Sequence, residues 1–219
     1  MKTKARIFLV DDHPLVREWL TNLIHQQSDL LVCGEAESAP HALEAVTKLR
    51  PEIAIVDISL KGASGIELIK NIRAVAPEVA MIVLSMHDEG LYAERALRAG
   101  ARGYIMKRET AKKVIAAIRQ VLAGKLYLSE SMRVHFAEKF ADGDPPATSL
   151  PIHELSDREL EVFQLLGQGY ETRQIAASLN ISMKTVQAFC ARIKEKLTLT
   201  SATELLREAV RWHDNQQLR

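Results

Sequence analysis

Apolar and polar positions change period several times along this chain. Ile7-Phe8-Leu9-Val10 is a short apolar run ended by Asp11-Asp12-His13-Pro14. A run of that length, closed by polar breakers, predicts a strand buried on both faces. Residues 14–27 then carry Leu15, Trp19, Leu23 and Ile24 at helical spacing. The alternation recurs, with strands expected at 30–34, 53–56, 81–84 and 103–105 and helices at 38–49, 64–75, 90–99 and 110–123. Five strands alternating with five helices predict a doubly wound α/β domain on a five-stranded parallel sheet.

The texture changes after this alternation. Ala-Asp-Gly-Asp-Pro-Pro-Ala-Thr-Ser-Leu-Pro, at 141–151, is rich in breakers and small residues and reads as a linker. Beyond it no strand run occurs, and helices are expected at 157–167, 171–179, 183–197 and 202–212. The expected organisation is an α/β domain over 1–125, a partly helical linker over 126–153, and a small all-α domain over 154–219.

Composition narrows the function classes. Of 219 residues, 47% are apolar and 26% charged, which excludes wholesale disorder and collagen-like structure. The net charge is +1, from 29 basic and 28 acidic side chains, so bulk charge announces no partner. Cys33 and Cys190 are too few and too far apart for a disulfide scaffold or a zinc site. The N-terminus does not read as a signal peptide, and no apolar stretch approaches the roughly 20 residues of a membrane helix. The expectation is a cytoplasmic protein without a membrane partner.

Ligands of open parallel sheets bind beyond the carboxyl ends of the strands. At those ends stand Asp11 and Asp12, Asp57, Ser85 and Lys107. Terminal aspartates can simply cap the next helix. Three close carboxylates, however, are tolerable mainly around a hard cation, and magnesium takes oxygen ligands. A carboxylate beside magnesium can attack a phosphoryl group, with a lysine and a hydroxyl on the phosphoryl oxygens.

Val10-Asp11-Asp12-His13-Pro14, Asp57, Ser85 and Gly103-Tyr104-Ile105-Met106-Lys107 resemble the receiver domain of two-component response regulators. The resemblance covers residues 5–124. It implies that Asp57 is the phosphoacceptor. It also implies that Asp12, Asp57 and the backbone carbonyl of Ser59 hold Mg2+, with Asp11 acting mostly through water. Ser85 and Lys107 are then the phosphoryl contacts and Tyr104 the aromatic switch. Read from the residues alone, Tyr104 is equally an aromatic packed in an edge strand. By the same resemblance, Ser59 and His87, two residues beyond Asp57 and Ser85, flank the attacking water and tune the phosphoryl lifetime.

In the second domain, Ser156 with Glu159 forms a capping box, Asn180 interrupts two helical runs and Ser182 can cap the next. This is a helix-turn-helix. Val186, Cys190, Ile193 and Leu197 form the inward stripe of the 183–197 helix. Lys184, Ala188, Ala191 and Glu195 lie opposite, flanked by Gln187, Arg192 and Lys194. Short side chains between cations suit a major groove. Lys184, Arg192, Lys194 and Lys196 can meet phosphates, and Gln187 a base edge. Phe189, beside the apolar stripe, reads as packing. Residues 150–219 hold nine basic and nine acidic side chains, which equally suits a plain solvated helix face.

This stretch is similar to the LuxR-type DNA-binding domain found after receivers in NarL/FixJ-type regulators. Thr185 and Val186 match that family, and Arg173 stands where a basic residue meets the DNA backbone. Gln187, Phe189 and Ala191 depart from it, standing where lysine, histidine and a polar contact are common. The DNA-contacting set implied is Arg173, Lys184, Thr185, Gln187, Ala188, Ala191, Arg192, Lys194 and Lys196.

The leading reading is a regulator phosphorylated by a sensor histidine kinase, acting on double-stranded DNA as a homodimer when phosphorylated and not turning over as an enzyme. A receiver-controlled protein-interaction module that has lost DNA binding is the alternative, favoured by the neutral second domain. A phosphatase using Asp57 as nucleophile would need a substrate pocket that no insertion supplies.

Overall fold

The computed structural model describes residues 4–61, 63–87, 89–142 and 152–217. The chain divides into two compact units, Met1–Asp144 and Pro145–Arg219.

In the first unit, β1 (Ala5–Val10), β2 (Leu30–Ala36), β3 (Ile53–Val56), β6 (Ala80–Ser85) and β7 (Gly103–Met106) form one sheet. Their order is β2-β1-β3-β6-β7, with every pairing parallel. The middle strand, β3, is buried along its whole length, as the continuous apolar run Ile53-Ala54-Ile55-Val56 demands. One face carries Ile7, Leu9, Ile53, Ile55, Ile82, Leu84 and Ile105 against α1 (Pro14–His25) and α5 (Ala111–Leu122). Side chains alternate across a strand, so Phe8, Val10, Ala54, Val56 and Val83 face the other way. That side is covered by α2 (Ala39–Leu49), α3 (Gly65–Val75) and α4 (Glu89–Ala99).

The structure departs from the pattern in two places. Leu15 and Trp19, read into the α1 stripe, are exposed, while Leu20 and Ile24 are the buried pair. Leu15 and Trp19 lie a helical turn apart but on the far side of α1 from Leu20 and Ile24. A two-residue hairpin, β4 (Ser59–Leu60) with β5 (Ala63–Ser64), follows β3 and is too short to print an alternation. Within 126–153, α6 (Glu130–Asp142) is helical and contacts α4, with Met132 buried. Residues 143–151 of the expected linker lie outside the described residues.

Glu89 at the start of α4 accepts from the hydroxyls of Ser129 and Ser131, at 2.6 and 2.7 Å. Just before them Tyr127 runs alongside β7: the Tyr104 N–H donates to the Tyr127 carbonyl (3.2 Å) and the Tyr127 N–H to the Arg102 carbonyl (2.9 Å).

The second unit holds a 3-10 turn (Ile152–Glu154), α7 (Asp157–Gly167), α8 (Thr172–Ser178), α9 (Met183–Lys196) and α10 (Ala202–Gln217). The capping box forms: the Glu159 N–H donates to Ser156 Oγ (3.4 Å), and the Ser156 N–H to Glu159 Oε2 (2.8 Å). Ser182 Oγ caps α9 by accepting from the Thr185 N–H at 3.0 Å. Asn180 adopts a φ of 52°, a left-handed conformation that asparagine tolerates, and this turns the chain from α8 into α9. Val186 and Ile193 are fully buried, each contributing about 1.5–3 kcal/mol of apolar transfer. Leu205 and Ala209 of α10 face inward, whereas Leu206 and Val210 remain outside. A Cβ on Gly167 would lie 2.5 Å from the Ala209 carbonyl, so glycine is what lets α7 and α10 touch.

Candidate functional site

The segments leaving β1, β3, β6 and β7 converge at the carboxyl edge of the first sheet. Asp11 and Asp57 are 2% and 3% exposed there. Lys107 Nζ donates to Asp57 Oδ2 and lies equally close to Asp11 Oδ2, 2.7 Å in each case. Asp11 Oδ1 accepts from the His13 N–H at 2.9 Å, and the Asp11 carbonyl accepts from Arg17 Nη1 at 2.6 Å. Asp11, Asp12, His13 and Asp57 present ligand atoms all within 4.8 Å of one another.

That crowding sets the electrostatics. Burial pushes the Asp57 carboxyl up to about 6, against the pull of Lys107 and the Ser59 N–H and with the push of Asp11. Burial works against the Lys107 ammonium, but the two carboxylates outweigh it and hold its pKa above the ordinary lysine value. One cation therefore serves two buried anions, with a third beside them. Asp12 Oδ1 is buried and has no hydrogen-bond partner among the described residues, although His13 Nδ1 lies 2.8 Å away. Three carboxylates with a spare buried oxygen among them fit a hard divalent cation.

Asp57 is held by its backbone as well. Its N–H donates to the Val10 carbonyl at 2.8 Å, and the Gly65 N–H donates to the Ile58 carbonyl at 2.8 Å. A Cβ at residue 65 would fall 2.0 Å from the Asp57 carbonyl oxygen, so the start of α3 approaches the loop more closely than any side chain permits. Gly65 and Arg17 were not read from the sequence as site residues, because their contacts join segments with no shared local pattern.

A second chain of contacts leaves the cluster through β6. The His87 N–H donates to Ser85 Oγ at 3.1 Å, and the Lys107 N–H to the Ser85 carbonyl at 2.8 Å. Ser59 Oγ and His87 Nε2 share a hydrogen bond of 2.6 Å. Burial, with the charge of Lys107 added, lowers the His87 pKa to about 4, so this ring is neutral at neutral pH. Tyr104 is buried, and its hydroxyl donates to the His87 carbonyl at 2.9 Å. Although β7 is an edge strand, Tyr104 points inward rather than lying on the surface.

In the second unit, Arg173 is exposed on α8, and Lys184, Gln187, Ala188, Ala191 and Arg192 are exposed on α9. Thr185 and Lys194 are half-buried. Thr185 Oγ1 lies 2.8 Å from Ser182 Oγ and so belongs to the cap. Lys196 is committed elsewhere: its ammonium donates to Glu159 Oε2 (2.7 Å) and to the Glu154 carbonyl (3.0 Å), tying α9 to α7. Cys190 is half-buried, and burial raises its thiol pKa. Phe189 is half-buried with the Arg192 guanidinium 4.9 Å from its ring centroid. Among the described residues no helix is long and apolar enough to cross a membrane.

A parallel sheet that gathers buried aspartates, a lysine and a hydroxyl at one edge, followed by a helix-turn-helix unit, defines a receiver joined to a DNA-binding output domain. Residues 7–119 match the response regulator receiver domain, and residues 153–209 match the luxR family of bacterial regulatory proteins. The chain belongs to the two-component response regulators of the NarL/FixJ type.

It is 33% identical over 210 residues to the oxygen regulatory protein NreC of Staphylococcus carnosus, covering 94% of this chain and 97% of that protein. It is 31% identical over 206 residues to the response regulator GacA of Pseudomonas aeruginosa, covering 94% and 95%. Among solved structures, RcsB of Salmonella enterica serovar Typhimurium, bound to promoter rprA in the presence of the phosphomimetic BeF3-, aligns with a TM-score of 0.62 at 26% identity. That alignment covers 95% of this chain and 99% of RcsB. A LuxR-family response regulator from Aurantimonas sp. SI85-9A1 aligns at 0.60 and 34% identity, covering 64% of this chain and 99% of that one.

Proposed function

We propose that phosphoryl transfer from a sensor histidine kinase to Asp57 controls how the second unit binds double-stranded DNA, and so controls transcription in the cytoplasm. The observation that carries this reading is the single ammonium of Lys107 shared at 2.7 Å by Asp57 and Asp11. Asp57 is thereby buried, anionic and hydrogen-bonded by one displaceable cation. A carboxylate oxygen of Asp57 attacks the donor's phosphorus, the P–N bond to the donor imidazole breaks, and an acyl phosphate remains on Asp57. Lys107 and Ser85 are assigned to the phosphoryl oxygens. Asp12, Asp57 and the Ser59 carbonyl are the proposed Mg2+ ligands, with Asp11 assisting through water. When bound, the ion supplies positive charge beside the developing phosphoryl charge. The acyl phosphate is a signal rather than a turnover intermediate.

The hydroxyl of Tyr104 reaches the His87 carbonyl, and His87 reaches Ser85 and Ser59, so a displacement of Ser85 toward a phosphoryl group bears directly on Tyr104. Ser59 and His87 are proposed to set the phosphoryl lifetime. In the second unit, Arg173, Lys184, Gln187, Arg192 and Lys194 are the proposed contacts to DNA, with Thr185, Ala188 and Ala191 beside them on the approaching surface. Lys196 is proposed as scaffold instead. The proposed active form is a homodimer, in which the exposed Leu206 and Val210 give a second copy an apolar stripe to cover.

The test is binding of pooled genomic DNA by the full-length protein, with and without magnesium and beryllofluoride, across a salt series. Discrete fragments whose binding strengthens with beryllofluoride, and no longer does so in Asp57→Asn, support the reading. A folded protein that retains no specific fragment at any salt overturns it in favour of a protein-interaction module.

A further inference from the structure

Helix α9 carries an aromatic ring at Phe189, and the structure gives that ring an occupation. The Arg192 guanidinium carbon lies 4.9 Å from the Phe189 ring centroid, inside the range of a cation–π contact. Arg192 Nε also reaches back to the Ala188 carbonyl, at 3.4 Å. Residues three apart on a helix are surface neighbours, and helical side chains lean toward the N-terminus of their helix. The guanidinium is therefore folded back over the turn that holds Ala188 and Phe189. It is not extended along the helix toward Glu195.

Three further observations set the role of this stack. Ala188 and Ala191, the neighbours of Arg192 on the exposed surface of α9, are both exposed and short. Nothing bulky beside the guanidinium would hold a base edge away from it. No carboxylate pairs with Arg192 among the described residues, whereas Lys196 on the same helix is tied to Glu159. The second unit carries equal numbers of basic and acidic side chains. Sequence-independent attraction to phosphates is correspondingly weak, which leaves more of the recognition to base edges.

We propose that Phe189 is a positioning residue whose ring holds Arg192 ready to read a guanine in the major groove. Arginine pairs with guanine through two parallel donors onto O6 and N7, and this needs the fork presented in one orientation. A free arginine must give up much of its rotamer freedom on binding, while one already stacked gives up less. Half-burial of Phe189 fits this role, because the ring is partly withdrawn from solvent and still carries the guanidinium. The proposal rests on the DNA-binding reading above.

The experiment selects preferred duplexes from a random-sequence pool with the full-length protein, magnesium and beryllofluoride. Binding is then measured against salt for the wild type, Phe189→Leu, Phe189→Tyr, Arg192→Ala and Arg192→Lys. Leucine keeps the apolar packing and removes the π face, whereas tyrosine keeps both. Phe189→Leu is expected to weaken binding about 2- to 5-fold, while Phe189→Tyr stays near wild type. Arg192→Ala is expected to lose about 5- to 100-fold of discrimination at one guanine, and Arg192→Lys to recover little of it. Phe189→Leu should relax preference at that same base, with the slope of log affinity against log salt unchanged in every variant.

Phe189→Leu binding with wild-type affinity and base preference overturns the proposal. So does an Arg192→Ala slope reduced by about one with all base preferences intact, which marks a phosphate contact. Arg192→Ala alters only an exposed side chain and keeps the test open if a Phe189 variant fails to fold. A wild type that selects no sequence overturns the DNA-binding reading itself, an outcome separate from failure of the stack alone.

Discussion

Ser59 and His87, two residues beyond Asp57 and Ser85, are hydrogen-bonded to each other at 2.6 Å across 28 residues of sequence. Under the proposed function this bond makes them one closure, and their effects on phosphoryl loss are expected to be coupled. Ser59→Ala and His87→Ala are each expected to speed decay of the acyl phosphate about 2- to 10-fold, the range set by one hydrogen bond. The double variant should decay no faster than the faster single one. Decay of 32P label from the protein after removal of the phosphodonor reads this directly. Additive effects would show that the two side chains act separately.

Lys107 is the only cation that pairs with both Asp57 and Asp11 among the described residues. Lys107→Ala leaves two buried carboxylates uncompensated and is expected to cost the first unit about 3–5 kcal/mol in EDTA. Magnesium should restore a large share by supplying the missing charge. Urea unfolding followed by Trp19 fluorescence, in a Trp212→Phe background, isolates this unit.

Gly65→Ala sets a Cβ 2.0 Å from the Asp57 carbonyl oxygen, which backbone movement alone can relieve. The expected result is a folded protein, destabilised by about 1–3 kcal/mol, with greatly slowed phosphorylation from a small phosphodonor. Wild-type phosphorylation in Gly65→Ala would show that the site tolerates a displaced loop.

Glu159 links pH to the stability of the second unit. Burial raises its carboxyl pKa, but the Lys196 ammonium and the capping hydrogen bonds outweigh burial and hold it below the ordinary glutamate value of 4.5. A depressed folded-state pKa means stability fully present above the unfolded value and lost as pH falls through the folded one. Acid unfolding followed at Trp212, whose ring lies 5.6 Å from that of Phe163, should therefore steepen below about pH 4.5. Glu159→Gln should flatten that dependence and cost about 1–2 kcal/mol at neutral pH. Lys196→Ala should lower stability while leaving the salt slope of DNA binding unchanged.

Glu89 receives two serine hydroxyls from the segment that starts α6. Glu89→Ala is expected to speed amide exchange in α6 about 5- to 20-fold, in line with two lost hydrogen bonds, and to leave the sheet unaffected. Exchange in α6 that stays at the wild-type rate would place its anchorage in Met132 alone.

Strand ends were legible in the sequence because each is a local event: an apolar run that stops at Asp11, Asp57, Ser85 or Lys107 announces its own boundary. Ser156 and Ser182 were legible as caps for the same reason. The partners of those residues were not. Lys196 reads as one of several cations on a helix until Glu159, 37 residues away, is seen to hold it. Arg17 and Gly65 matter only through backbone atoms of other segments. Leu206 and Val210 match Leu205 and Ala209 in their apolar character, and only the packing of α10 on α7 decides which pair faces out. Phe189 read as packing alone, since nothing in its neighbours showed that Arg192 folds back onto it.

The short run of Tyr127 along β7 has a consequence beyond architecture. The last strand of an open sheet offers unpaired backbone groups to any passing extended chain, which invites promiscuous strand-to-strand association. Here the chain's own continuation takes the Tyr104 N–H, so this edge strand is shielded from foreign backbone. The segment that leads from α5 into α6 is thus fastened, by its own backbone, to the strand that bears Tyr104.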